Sequence, residues 1–171
     1  LASDEARASK YRGAAGVDKF LSGISSLRNA RYTEAVDAFR SFSTTNADTE
    51  LTDNALFWTG VCYSRMGDHD RAIVTFNEVY ENFSAEDRAP DALQKLAEEF
   101  EAIGENEQAQ TAFQKLQQKY PGSKGAIAAK GQNNSRPQYA APANTGSSRY
   151  SSFQVRPPVR PSVVRGRYGA R

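Results

Sequence analysis

The chain has 171 residues, 22 basic and 20 acidic side chains and 39% apolar residues, which bounds it to one or two modest domains. A single cysteine, Cys62, excludes an internal disulfide, and a single histidine, His69, leaves too few donors for a His/Cys metal set. No apolar run approaches the ~18 residues that suggest a membrane-spanning helix.

The chain starts at Leu1, with no initiator Met and no leader from which to read a compartment. Ser3 to Arg12 (SDEARASKYR) is polar and Ala-rich, acidic at its start and basic at its end. That charge order favours a short helix through its dipole. A helical segment over residues 1–15, acting as an N-terminal cap, is therefore expected.

Three related segments come next: TEAVDAF (Thr33 to Phe39), DRAIVTF (Asp70 to Phe76) and EQAQTAF (Glu107 to Phe113). Each places an Ala four residues before a Phe, and Ala35, Ala72 and Ala109 are spaced by 37 residues. A regular period in this range marks stacked helical hairpins, none able to bury its apolar face alone. Five residues before Ala72 and Ala109 stand Gly67 and Gly104, suited to the left-handed backbone that ends a helix before a turn. The first copy has Ala30 there, so its turn must form without that freedom. Seven residues further back come Gly23, Gly60 and Ala97, small enough to let the two helices of a hairpin approach beside Phe39, Phe76 and Phe113.

The repeats run over about residues 16–52, 53–89 and 90–125, with longer connections at Thr44 to Asp53 and Phe83 to Asp91. Pro90 suits the first turn of a helix, and Pro121 stops one after KLQQKY. Ser123 to Lys130 (SKGAIAAK) has the propensity for a short capping helix, closing a domain over 16–130.

These residues resemble the tetratricopeptide repeat (TPR), whose usual unit is ~34 residues. The fold expected is all-α: a TPR-type helical-hairpin solenoid of three repeats, with an N-terminal helix and a disordered or extended basic C-terminal tail. NALFWTG (Asn54 to Gly60), GDHDRAIVTFNEV (Gly67 to Val79), APDALQKLA (Ala89 to Ala97) and KYPGS (Lys119 to Ser123) further resemble the C-terminal TPR domains of periplasmic Tol-Pal-associated cell division coordinators, over roughly residues 17 to 125. That resemblance implies a periplasmic, non-catalytic scaffold or adaptor in a cell-envelope assembly linking peptidoglycan synthesis, cell division or Tol-Pal. Its partners would be envelope proteins or peptides, and it would need no cofactor. That family carries a trimeric coiled coil upstream of its repeats. No heptad run is visible here, so trimerisation is not carried over. A structural role in a secretion, pilus or flagellar-motor complex is the alternative.

In a TPR stack the first helix of each repeat lines a concave groove. By that alignment the first repeat supplies Val17, Phe20, Ile24, Leu27 and Arg28, and the second supplies Asn54, Phe57, Val61, Ser64 and Arg65. The third supplies Asp91, Gln94, Glu98, Glu101 and Ala102, giving a groove apolar at one end and acidic at the other. Phe57 and Val61 stand where carboxylate-clamp residues would be. An extended peptide with apolar side chains, basic at one end, is the expected ligand. Burial of Val17, Phe20, Ile24 and Leu27 under the N-terminal helix is the competing expectation. Trp58 is expected in the core between repeat neighbours, and Cys62, inside WTGVCY, as a buried inert thiol.

Residues 131–171 hold seven Arg, no Lys and no acidic residue, leaving 15 basic and 20 acidic side chains in residues 1–130. Five of the seven prolines also lie there, so the segment buries too little apolar surface to order alone. Tyr139, Tyr150, Phe153 and Tyr168 are interleaved with the arginines. Three readings stand. One is a solvated basic terminus with no fixed partner. Another is a docking arm built on Phe153, Val155, Arg156, Pro158, Arg160 and Pro161, either as polyproline II through RPPVRP or as an added strand through SSFQV. The third and weakest is a polyanion or nucleic-acid binder.

Catalysis finds no motif. His69 lies in GDHD, where Asp68 and Asp70 suggest a solvated turn, and neither a phosphate loop nor a nucleophile elbow is present. A non-enzyme is expected.

Overall fold

A Cβ added to Gly23 would lie 2.6 Å from the Phe39 ring, and one added to Gly60 2.7 Å from the Phe76 ring. The two helices of the first and second hairpins thus meet at a contact that a glycine creates and a phenylalanine fills. The structure, a computed structural model, describes residues 1–11, 13, 16–46 and 51–132.

Three hairpins succeed one another: α2 (Val17–Arg28) with α3 (Tyr32–Thr45), α4 (Thr52–Arg65) with α5 (His69–Asn82), and α6 (Ala89–Ala102) with α7 (Asn106–Lys119). A short α1 (Ala2–Ser9) precedes them, and α8 (Lys124–Gln132) packs on α7 and α6. Each helix packs on its chain neighbours both within a hairpin and between hairpins, which makes the stack a solenoid. The helices take up the ends of both long connections, since α3 runs to Thr45 and α6 begins at Ala89 with Pro90 in its first turn.

All three hairpins turn in the same way. Ala30, Gly67 and Gly104 have φ of 55°, 73° and 79°. The backbone N–H groups of Arg31, Asp68 and Glu105 donate to the carbonyls of Ser26, Tyr63 and Phe100, and those of Ala30, Gly67 and Gly104 to Leu27, Ser64 and Glu101. These paired bonds are the Schellman motif, which satisfies the last free carbonyls of a helix. Ala30 adopts its left-handed conformation against the steric preference of an L-residue.

The core runs along the inner faces of the hairpins. Phe20 meets Phe39 and Phe42 edge-on at 5.6 and 5.4 Å, and Phe57 meets Phe76 at 5.7 Å. Ala35 and Ala72 are fully buried beside these rings. In the third hairpin Ala97 fills the glycine position with a methyl, and Phe113 is only partly buried.

The N-terminal segment does more than cap the first repeat. Glu5 pairs with Arg28 of α2, but Asp4 accepts a hydrogen bond from the Trp58 indole (3.0 Å) and pairs with Arg88, and Arg7 pairs with Asp87 at 3.2 Å. The helix therefore crosses from the first hairpin to the junction of the second and third. The candidate tail residues Phe153, Val155, Arg156, Pro158, Arg160 and Pro161 lie outside the described residues.

Candidate functional site: a cleft between the second and third hairpins

Between helices α4 and α6 opens a cleft of about 760 Å³. Helical spacing puts Phe57, Trp58, Val61, Ser64 and Arg65 on one face of α4, and Asp91, Gln94 and Lys95 on the facing side of α6. Arg88, at the N-cap of α6, completes the lining. A volume of this size lies in the range of ligand clefts, ~300–1,000 Å³.

Arg88 is the organising side chain. Its Nε donates to Asn54 Oδ1 at 2.7 Å and its Nη1 to Asp91 Oδ2 at 3.1 Å, while Nη2 pairs with Asp4. The guanidinium also lies 4.9 Å from the Phe57 ring centre and 5.4 Å from that of Trp58. Planar, always charged and held from several sides, it is fixed in place. Trp58 stands edge-on to Phe57 at 5.2 Å. It is only partly buried and lines the cleft, rather than lying in the core, because its indole N–H reaches out to Asp4.

The other polar groups divide into committed and free. Glu98 accepts from Lys95 Nζ at 2.6 Å and Gln94 Nε2 at 2.7 Å, which neutralises it locally. Arg65 is exposed and makes no hydrogen bond or ion pair with any described residue. The cleft thus offers a free cation beside apolar surface, which corrects the expected acidic end. Glu101 is exposed and is not among the lining residues.

The first hairpin contributes no groove floor. Val17, Phe20 and Ile24 are 4%, 0% and 1% exposed and belong to the core, while Leu27 is partly buried against it. Asn54 is likewise buried, its carbonyl taken by Arg88. Of the groove residues expected from the sequence, Phe57, Val61, Ser64, Arg65, Asp91 and Gln94 come together in the cleft, with Phe57 buried at its back.

A buried carboxylate beside the cleft escaped sequence reasoning. Glu99, 4% exposed, accepts the Ser64 hydroxyl and lies 2.7 Å from His69 Nδ1, so His69 is tied to α6 rather than solvated in its turn. The carboxylate sits between serine and imidazole, accepting the Ser64 hydroxyl on one oxygen and facing His69 with the other. This arrangement fastens α4, α5 and α6 together. The period carried the signal: 37 residues before Glu99 stands Cys62, also fully buried. Burial pushes the Cys62 thiol up to about 12, which keeps it protonated at neutral pH.

Paired helices, repeated turns and an open cleft between neighbouring units define a helical-repeat interaction module. The tetratricopeptide repeat family model matches residues 54–85 and 91–123, the second and third hairpins, and the stack of helical hairpins has the architecture of a TPR solenoid. The first hairpin lies outside the match but carries the same glycine–phenylalanine contact and the same turn. TPR repeats generally mediate protein–protein interaction, and no helix among the described residues is long and apolar enough to cross a membrane. No curated protein matches the chain.

Proposed function

We propose that the protein is a non-catalytic adaptor that captures a peptide segment of another protein in the cleft between α4 and α6, within a bacterial cell-envelope assembly. One observation carries the capture: Trp58 and Val61, both partly buried, line an open cleft backed by the buried Phe57, and its rim holds Arg65, unpaired among the described residues. Apolar surface beside a free guanidinium favours a segment with apolar side chains and a carboxylate. That replaces the basic-ended peptide expected from the sequence. The periplasmic location, and a link to peptidoglycan synthesis, cell division or Tol-Pal, are supported by the resemblance of Asn54 to Gly60 and Gly67 to Val79 to that periplasmic type.

A photo-crosslinker placed at Val61 in living cells tests both parts. Crosslinks to envelope proteins are expected, and they should fall when Arg65 is changed to Glu. Crosslinks confined to cytosolic proteins would overturn the location, and none at all would overturn the cleft.

A further inference from the structure

Helix α1 comes from outside the repeats, yet its buried carboxylate is received by residues of the second and third hairpins. Asp4 takes the Trp58 N–H and the Arg88 guanidinium, as a bound peptide's side chain would. Of the eight residues in α1, only Asp4 and Ala8 are buried. The two stand four apart, on one face of the helix. Its hold on the stack thus rests on one carboxylate, one methyl, the partly buried Leu1 at its N-cap and surface ion pairs. A buried ion pair roughly breaks even against desolvation, and exposed pairs contribute little. The receptor, by contrast, is held without α1. Asn54, Asp91 and the rings of Phe57 and Trp58 keep Arg88 in place whether or not Asp4 is there.

We infer that Arg88 and Trp58 form a carboxylate receptor which α1 fills from within the chain, and that an acidic amphipathic helix of a partner exchanges with α1 there. The inference rests on the cleft being a binding surface, and it names the partner's chemistry. The incoming helix carries Asp or Glu four residues before a small apolar residue, the pattern of Asp4 and Ala8. It also carries a second acidic group for Arg65. Seven residues along α4 separate Trp58 from Arg65, about 10 Å of rise. Because α1 is tethered, it competes at an effective concentration on the order of millimolar. A partner at micromolar level must therefore bind roughly 10³-fold more tightly than the α1 sequence alone. Contacts with Val61 and Arg65, which α1 leaves open, supply that difference.

The test uses the full chain and a labelled peptide of its own residues 1–12, read by anisotropy and by the fluorescence of Trp58, the single tryptophan. Asp4→Ala protein should bind the peptide at least tenfold more tightly than wild type, since its own helix no longer competes. Adding Arg88→Gln should abolish that gain. An Asp4→Ala chain that stays helical by circular dichroism and binds no peptide overturns the inference. Should Asp4→Ala fail to fold, solvent exchange of the Trp58 indole proton in wild type decides. Exchange much faster than that of the α4 backbone amides supports an exchangeable α1, and exchange only with global unfolding overturns it. Crosslinks from Val61 that persist when the peptide does not bind would sink this inference alone and leave the adaptor reading standing.

Discussion

Asp4 and Arg88 stand 84 residues apart in the chain and form an ion pair whose side chains are only 4% and 15% exposed. The two ends of this pair are not equivalent. Arg88→Met takes the donor from the buried Asn54 carbonyl and removes the cation from between two rings, and should cost about 2 kcal/mol in urea unfolding. Asp4→Asn should cost no more than about 1 kcal/mol, because a helix with so little buried surface can release into water. Equal losses would mean that α1 is an integral part of the stack.

Ala30 bears a conformation that the other two turns give to glycine. Its φ of 55° accompanies the same pair of backbone hydrogen bonds as at Gly67 and Gly104. Ala30→Gly should therefore stabilise the protein by about 0.5–1 kcal/mol, the left-handed penalty outweighing the added freedom of the unfolded chain. Gly67→Ala should destabilise by about 1 kcal/mol. Opposite shifts of the urea midpoint check the pair, and shifts of the same sign would refute it.

Gly60 has no room for a methyl. An added Cβ falls 2.7 Å from the Phe76 ring, which is itself fully buried and cannot swing away. Gly60→Ala should cost about 1–3 kcal/mol, as overpacking of a filled core does. The reverse change in the third hairpin, Ala97→Gly, should lose less than that, since Phe113 there is only partly buried. Thermal melts of the two variants give the comparison.

The fold was legible because its determinants recur. The 37-residue spacing of Ala35, Ala72 and Ala109 located the hairpins, and Gly67 and Gly104 located their turns. The cleft was half legible: periodicity put Phe57, Val61, Arg65 and Gln94 on the right faces but not their state of pairing. Whether Glu98 is free depends on Lys95 and Gln94, and whether Val17, Phe20 and Ile24 are open depends on packing against α3. Nothing in a local pattern announces that Asp4 will reach Arg88. Such contacts arise from where the stack carries its ends, and the period of the repeats says nothing about a helix outside them.

Two aspartates should give the stability opposite dependences on pH. Asp68 caps α5, and its side-chain bond from Arg71, then the Arg71 backbone N–H, hold its carboxyl below the usual 3.8. Its ionised form is favoured by folding, so its contribution is full above pH 3.8 and decays as pH falls through the lowered value. Asp68→Ala should thus cost about 1 kcal/mol at pH 7, with the gap closing in acid. Asp53 is shifted the other way: burial pushes its carboxyl above 3.8, against the partly offsetting Asn54 backbone N–H. Ionised Asp53 therefore costs stability at neutral pH, and that cost disappears once pH falls to 3.8. Asp53→Asn keeps an oxygen for Asn54 and removes the charge. It should raise stability at pH 7 and match wild type near pH 3.8 or below. Urea titrations of both variants from pH 7 downward check the signs, and parallel curves for the two would show that neither carboxyl is shifted by folding.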